Sequence, residues 1–254
     1  MSGELIGVRQ EEHVTELTLQ REEKLNAIST EMEAALLAAL AGDAVRESRC
    51  IVFAGAGKAF SAGADINEFR DADPASIAAY YSGSGDVYER IAALPMPTIA
   101  AIHGWCLGGA LELALAVDFR IAEETATFGL PEVALGIIPS SGGTHRLVRM
   151  LGPAKAKELM LLGRRFDARE AEARGLVTEV VPAGRALPRA LEVAHELAAQ
   201  PPLAVQTAKA AANVMPEASR EANMLIERLA YAALAQTAEA KEAVEEFTRR
   251  DRRP

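Results

Sequence analysis

Apolar and polar residues alternate near the start of the chain, over residues 5–9 and 14–19, and this period of two predicts two short strands, each with one buried face. A polar turn through residues 21–27 follows. Beyond it, Met32, Leu36, Leu37 and Leu40 fall at helical spacing, and Thr30 with Glu33 fits a capping box that would start the helix. Cys50-Ile51-Val52-Phe53-Ala54 and Thr98-Ile99-Ala100-Ala101-Ile102 are unbroken apolar runs, the pattern of strands covered on both faces. Between them a helical segment is predicted over residues 74–94, with further short strands near residues 117–122 and 177–181. From about Pro188 the pattern is almost purely helical, broken at Gln200-Pro201-Pro202 and near Pro216.

Strand, glycine-rich turn and helix recur without a clear internal repeat, which predicts a mixed α/β architecture with buried strands. A core region over residues 1–199 and a helical region over 200–254 follow from this pattern. The terminal helices, rich in Ala and Leu, cover either the chain's own core or a neighbouring subunit.

One residue breaks the pattern. Glu112 lies inside the apolar run Ala110-Leu111-Glu112-Leu113-Ala114-Leu115-Ala116-Val117, where a carboxylate is costly unless it is paired, hydrogen-bonded or protonated. Glu132 likewise follows a turn-forming segment, Phe128-Gly129-Leu130-Pro131. Two such acids suit acid/base chemistry.

Composition narrows the alternatives. With 254 residues, half of them apolar, the chain can bury a substantial core. A net charge of -9 and a pI near 5.1 give no field to attract nucleic acid or an anionic membrane. The basic cluster Arg249, Arg250, Arg252 and Arg253 reads as a solvated tail. Cys50 and Cys106 read as buried thiols in a reducing compartment, no run approaches a membrane span, and Met1-Ser2-Gly3-Glu4 is neither a signal nor a transit peptide, so a cytoplasmic location is expected.

Several motifs fail on spacing. Gly55-Ala56-Gly57-Lys58 lacks both the first glycine of a phosphate loop, where Val52 stands, and its Ser or Thr, where Ala59 stands. Phe60 occupies the third-glycine place of a dinucleotide fingerprint, and Ala59 the first-glycine place of a nucleophile elbow. His13, His103, His145 and His195 form no metal-ligand spacing, and Cys106 beside His103 reads as structural. Two glycine-rich turns remain. Phe60-Ser61-Ala62-Gly63-Ala64-Asp65-Ile66 follows a buried strand and lets a ligand approach the main chain, while Leu107-Gly108-Gly109 opens a helix whose first N–H groups are free. Two such donors converging on one carbonyl oxygen would form an oxyanion hole.

These residues resemble the crotonase superfamily and, within it, the enoyl-CoA hydratases. The resemblance runs through Leu25-Asn26-Ala27, residues 58–66, 99–104, 107–113, 128–132 and 136–139, and Gly142-Gly143-Thr144-His145-Arg146-Leu147, to residues 242–247. It implies a spiral of ββα units followed by a helical trimerisation region, assembled as a homo-oligomeric trimer or hexamer. It also implies that the N–H groups of Ala64 and Gly109 grip the thioester oxygen of an acyl-CoA, and that Lys24, Ala62, Asp65, Ile66 and Leu107 line the CoA path. Coenzyme A is then part of the substrate, with no separate cofactor and no metal. Isomerases of the superfamily generally need one carboxylate, at the position of Glu132, whereas hydratases carry both. The resemblance therefore implies hydration of a 2-trans-enoyl-CoA, Glu112 activating water and Glu132 supplying a proton to the α-carbon. The alternatives are an isomerase or branched-chain hydratase, an RNA-binding member of the superfamily, and a non-catalytic assembly subunit. The helix beginning Glu31-Met32-Glu33 is acidic where the RNA-binding branch is lysine-rich. Three departures stand out: Arg21-Glu22-Glu23-Lys24 replaces a turn that often holds proline, Ser140 stands where glycine is common, and Trp105 replaces a frequent tyrosine.

Overall fold

The computed structural model of the protein describes residues 4–68, 70 and 73–250. The two alternating segments form an antiparallel hairpin, β1 (Ile6–Glu11) with β2 (Val14–Leu19). β2 then pairs in parallel with β3 (Cys50–Gly55), and β4 (Thr98–Ile102), β6 (Phe119–Glu123) and β9 (Glu179–Val181) complete a six-stranded sheet in the order β1-β2-β3-β4-β6-β9. A second sheet, β5-β7-β8, joins Trp105–Leu107 (β5), Thr127–Gly129 (β7) and Phe166–Asp167 (β8).

The unbroken apolar runs are explained by what covers the large sheet. In β3, Ile51 and Phe53 face one core with Met32, Leu36, Ile91 and Leu113. These side chains come from α1 (Thr30–Leu40), α4 (Val87–Ala92) and α5 (Gly109–Ala116). Cys50, Val52 and Ala54 of the same strand face a second core, closed by Ala186, Ala190, Ala194 and Ala198 of α8 (Ala186–Ala198). Alanine every fourth residue gives that helix a smooth stripe, so it lies close against the sheet. α8 thus covers the chain's own core.

The helical segment over residues 74–94 is not continuous. It breaks into α3 (Pro74–Tyr81), a 3-10 turn at Ser84–Asp86, and α4. Gly83 and Gly85 fall in the break, where their low helix propensity favours a turn. The predicted capping box is also shifted. Ser29, in extended conformation, caps α1 and its Oγ accepts from the Met32 N–H (3.2 Å); Thr30 is already helical, and Glu33 turns inward instead of back to the cap.

The remaining helices are α2 (Asp43–Arg46), α6 (Gly143–Leu162, broken at Gly152 where φ is 76°), α7 (Ala168–Ala173), α9 (Pro202–Val214), α10 (Arg220–Leu234) and α11 (Ala238–Arg250). No helix among the described residues is long and apolar enough to cross a membrane. α9 and α10 bury no residue, although Lys209 ties α9 to the core through Asp118 (2.7 Å) and the Met96 carbonyl (2.8 Å). Leu225, Leu229, Tyr231, Val244 and Phe247 on α10 and α11 are exposed. Of the basic cluster, Arg252, Arg253 and the side chain of Arg250 lie outside the described residues, and Arg249 pairs with Glu245 (3.4 Å).

Candidate active site

Three loops are stapled together beside the carboxyl ends of the strands. In the first, Leu25 and Asn26 both adopt left-handed backbone (φ 51° and 55°), a conformation asparagine tolerates better than most residues. The buried Asn26 amide donates to the carbonyls of Ala56 and Ala59 (2.8 Å each), and its Oδ1 accepts from the Arg21 N–H (2.9 Å). The loop is thereby fixed to the segment leaving β3. Ile28 N–H donates to Gly63 O and Asp65 N–H to Ile28 O (2.8 Å each), so Ala64 is held between two bonds while its own N–H has no acceptor among the described residues.

The second staple joins Ser61 to β5: Ser61 N–H donates to Trp105 O (2.9 Å) and Leu107 N–H to Ser61 O (3.4 Å). Gly63 (φ 102°) passes so near that strand that a Cβ on it would stand 2.6 Å from Leu107 O. Gly108 follows at φ 53°, ψ -125°, a region open in practice only to glycine, and turns the chain into α5. Gly109 is the first helical residue, so its N–H lacks an intrahelical acceptor. A Cβ on Gly109 would lie 3.3 Å from Ala64 N. The structure thus sets the Ala64 and Gly109 N–H groups side by side.

Both glutamates are buried around this pair, Glu112 at 4% and Glu132 at 8% exposure. Glu112 lies in the first turn of α5, and its Oε1 accepts from the N–H groups of Ser141 and Gly143 (2.8 Å each). Burial raises its pKa, opposed by the N–H groups of Gly143, Ser141 and Ser140 and by the charge of Arg146. Glu132 begins the 3-10 turn Glu132–Leu135. Its Oε1 lies 3.1 Å from where a Gly108 Cβ would be, and its buried Oε2 has no hydrogen-bond partner among the described residues. Burial pushes Glu132 up to about 7; a bond from its own backbone pulls the other way, and the Glu112 charge adds to the rise.

The other sequence-predicted residues lie on or beside these loops. Leu107 is buried, and Ala62, half-buried, donates its N–H to Leu25 O (2.9 Å). Asp65 pairs with Arg21 (2.9 Å), which holds its carboxyl below the usual range, so this acid is engaged within the protein. Lys24 and Ile66 are exposed, and Glu22 packs against Gly57. Cys106 is fully buried with its thiol pushed well up, burial lifts Cys50 to about 12, and no metal-binding cluster occurs among the described residues. These are inert thiols.

Sequence reasoning missed the tyrosines and the arginine packed around the loop that holds Glu112. Tyr80 donates to the buried Glu33 (2.7 Å), Tyr81 to the hydroxyl of Ser140, and the Tyr88 hydroxyl lies 3.4 Å from the Gly109 Cβ position. Arg146 donates to Ser141 O (3.0 Å) and to Glu89 (2.6 Å). The sequence marked this loop only through Ser140 and the matched segment from Gly142 to Leu147, and gave Arg146 no role there. Arg165 stacks over Trp105 at 4.2 Å. A cavity of about 550 Å³, lined by residues including Glu89, Asp118, Arg120, Arg146 and Arg149, contains neither Glu112 nor Glu132.

The family described as Enoyl-CoA hydratase/isomerase matches residues 9–253. A protein of Rhizobium meliloti named "Probable enoyl-CoA hydratase" is 42% identical over 97% of this chain and 96% of its own length. The 2,3-dehydroadipyl-CoA hydratase of Escherichia coli is 37% identical over 96% of this chain and 95% of its own length. The crystal structure of an enoyl-CoA hydratase from Bacillus anthracis superposes with a TM-score of 0.90 at 37% identity, covering 97% of this chain and 96% of that one. With the family match and the relatives both spanning nearly the whole length, the chain belongs to the enoyl-CoA hydratase/isomerase family and has the crotonase fold.

Proposed function

We propose that the protein adds water reversibly across the double bond of a 2-trans-enoyl-CoA to give a 3-hydroxyacyl-CoA. The observation that carries this reading is the pair of buried carboxylates flanking two acceptor-free N–H groups. In the forward direction Glu112 takes a proton from water as the water oxygen bonds to the β-carbon. The double-bond electrons move to the thioester oxygen, and the resulting enolate is held by the Ala64 and Gly109 N–H groups, each donor contributing about 3 kcal/mol to the chemical step. Glu132 gives its proton to the α-carbon, and the enolate collapses to the thioester. The division of labour follows from the surroundings: Glu112 has N–H donors that favour its anion, whereas Glu132, near 7 with an unpartnered oxygen, keeps a proton to give. Ala62, Asp65, Ile66, Leu107 and Lys24 form the wall along which the CoA moiety lies.

The exposed apolar side chains of α10 and α11 favour a homo-oligomer, a trimer or a pair of trimers, with those helices between subunits. Loss of crotonyl-CoA enoyl-thioester absorbance on adding enzyme tests the reaction. Glu112→Gln and Glu132→Gln are each expected to lower kcat by about 100- to 10,000-fold. Full activity in either variant removes that residue's role, and conversion of a 3-enoyl-CoA without hydration makes the protein an isomerase.

A further inference from the structure

We propose that Arg146 is a positioning residue for Glu112, clamping from behind the loop that holds this carboxylate in place. The inference rests on the hydration chemistry above. The loop over residues 140–143 has two sides. On one, the N–H groups of Ser141 and Gly143 grip Glu112 Oε1 (2.8 Å each). On the other, Arg146 Nη1 donates to the carbonyl of that same Ser141 (3.0 Å). One residue is therefore held through both its donor and its acceptor, and its peptide planes cannot turn without breaking a bond to a buried charge.

The backbone is shaped around this clamp. Gly142, at φ 90°, lies where a Cβ would stand 2.1 Å from Arg146 Nη1, so the guanidinium occupies the space that a side chain would need. The Arg146 side chain is 9% exposed, and its other nitrogen, Nη2, is anchored across to α4 by Glu89 Oε1 (2.6 Å). Arginine suits two acceptors at a fixed angle; a lysine in its place can satisfy the charge but not the fork. The ionisable groups around Glu112 are Arg146 from α6, Glu132 from the turn after β7 and Tyr88 from α4, with Glu33 of α1 and Tyr80 of α3 beside Tyr88 and Glu89 behind Arg146. Arg146 is the one cation in that set, and its charge favours the ionised base.

The test uses the full-length protein, with crotonyl-CoA hydration followed across pH and melting measured on each variant. Arg146→Met is expected to lower kcat by about 10- to 100-fold with little change in KM. Without the cation, the ascending limb of kcat/KM moves up by about half a pH unit or more. Arg146→Lys restores the position of the limb but only part of kcat. An unmoved limb in a folded Arg146→Met protein overturns the proposal. Should Arg146→Met fail to fold, Arg146→Lys decides: reduced kcat at the parent melting temperature supports the clamp, and parental kcat overturns it. Glu112→Gln is measured alongside. If it hydrates at full rate, the hydration mechanism itself fails; if it is inactive while the limb stays in place, the positioning role alone fails.

Discussion

Replacing Glu132 by glutamine is expected to stabilise the protein by an amount that grows as pH rises above about 4.5 and levels off above about 7. The carboxyl titrates near 7 in the fold against 4.5 in an unperturbed chain, and the first cause is burial. Below 4.5 it is neutral in both states and takes nothing from stability. Between those values the unfolded chain releases the proton while the fold retains it, so stability declines as pH rises, and the loss is complete once the folded carboxyl has itself ionised. The full difference corresponds to about 3 kcal/mol. Water penetration and relaxation around the charge reduce this to something on the order of 2 kcal/mol. Glutamine has nearly the same shape and leaves a comparable polar atom in the place of the unpartnered Oε2, so the two proteins differ little when the glutamate is protonated. Urea unfolding of both at pH 5 and pH 8.5, at fixed protomer concentration, gives the comparison directly. The stability gap between variant and parent should be small at pH 5 and open at pH 8.5. An equal gap at both pH values refutes the reasoning, because it places the ionised carboxylate in an environment that solvates it as well as water does.

Two further outcomes follow from the same geometry. Gly143→Ala puts a methyl 2.6 Å from Glu112 Cγ and 2.7 Å from its Oε1, so crotonyl-CoA turnover is expected to fall about 100-fold through displacement of the base, with smaller loss in binding of the product ester by calorimetry. Asn26→Ala strips the partners from Ala56 O, Ala59 O and Arg21 N–H and leaves alanine in left-handed backbone, so chemical denaturation should show a loss of about 2–4 kcal/mol.

The two glutamates and the two glycine-rich turns were legible in the sequence because each violates a local expectation: an acid in an apolar run, or glycine where a strand should continue. β3 and β4 were legible for a different reason. Both faces of each are covered, so their apolar runs are unbroken. β5, β7 and β8 have three, three and two residues, too few to display any period, and they were not foreseen. α1 was expected but its cap was placed one residue late, since Ser29 and Thr30 are chemically equivalent candidates and only the backbone turn distinguishes them. The contacts that complete the site were hidden altogether. Arg146 with Glu89 and Tyr80 with Glu33 join residues far apart in the chain, and no spacing rule links them.

The short bridges of Ile28 with Ala64 and of Ser61 with Cys106 carry a kinetic consequence. Neither belongs to a ladder that could zip up from a local turn, so each forms only after distant segments have already met. Helices and the β1–β2 hairpin can appear early during refolding, whereas the Ala64 and Gly109 donors become neighbours only when both bridges close. Recovered crotonyl-CoA turnover, on the proposed activity, should therefore trail recovered circular dichroism, which makes turnover a clock for the last step of the protein's assembly.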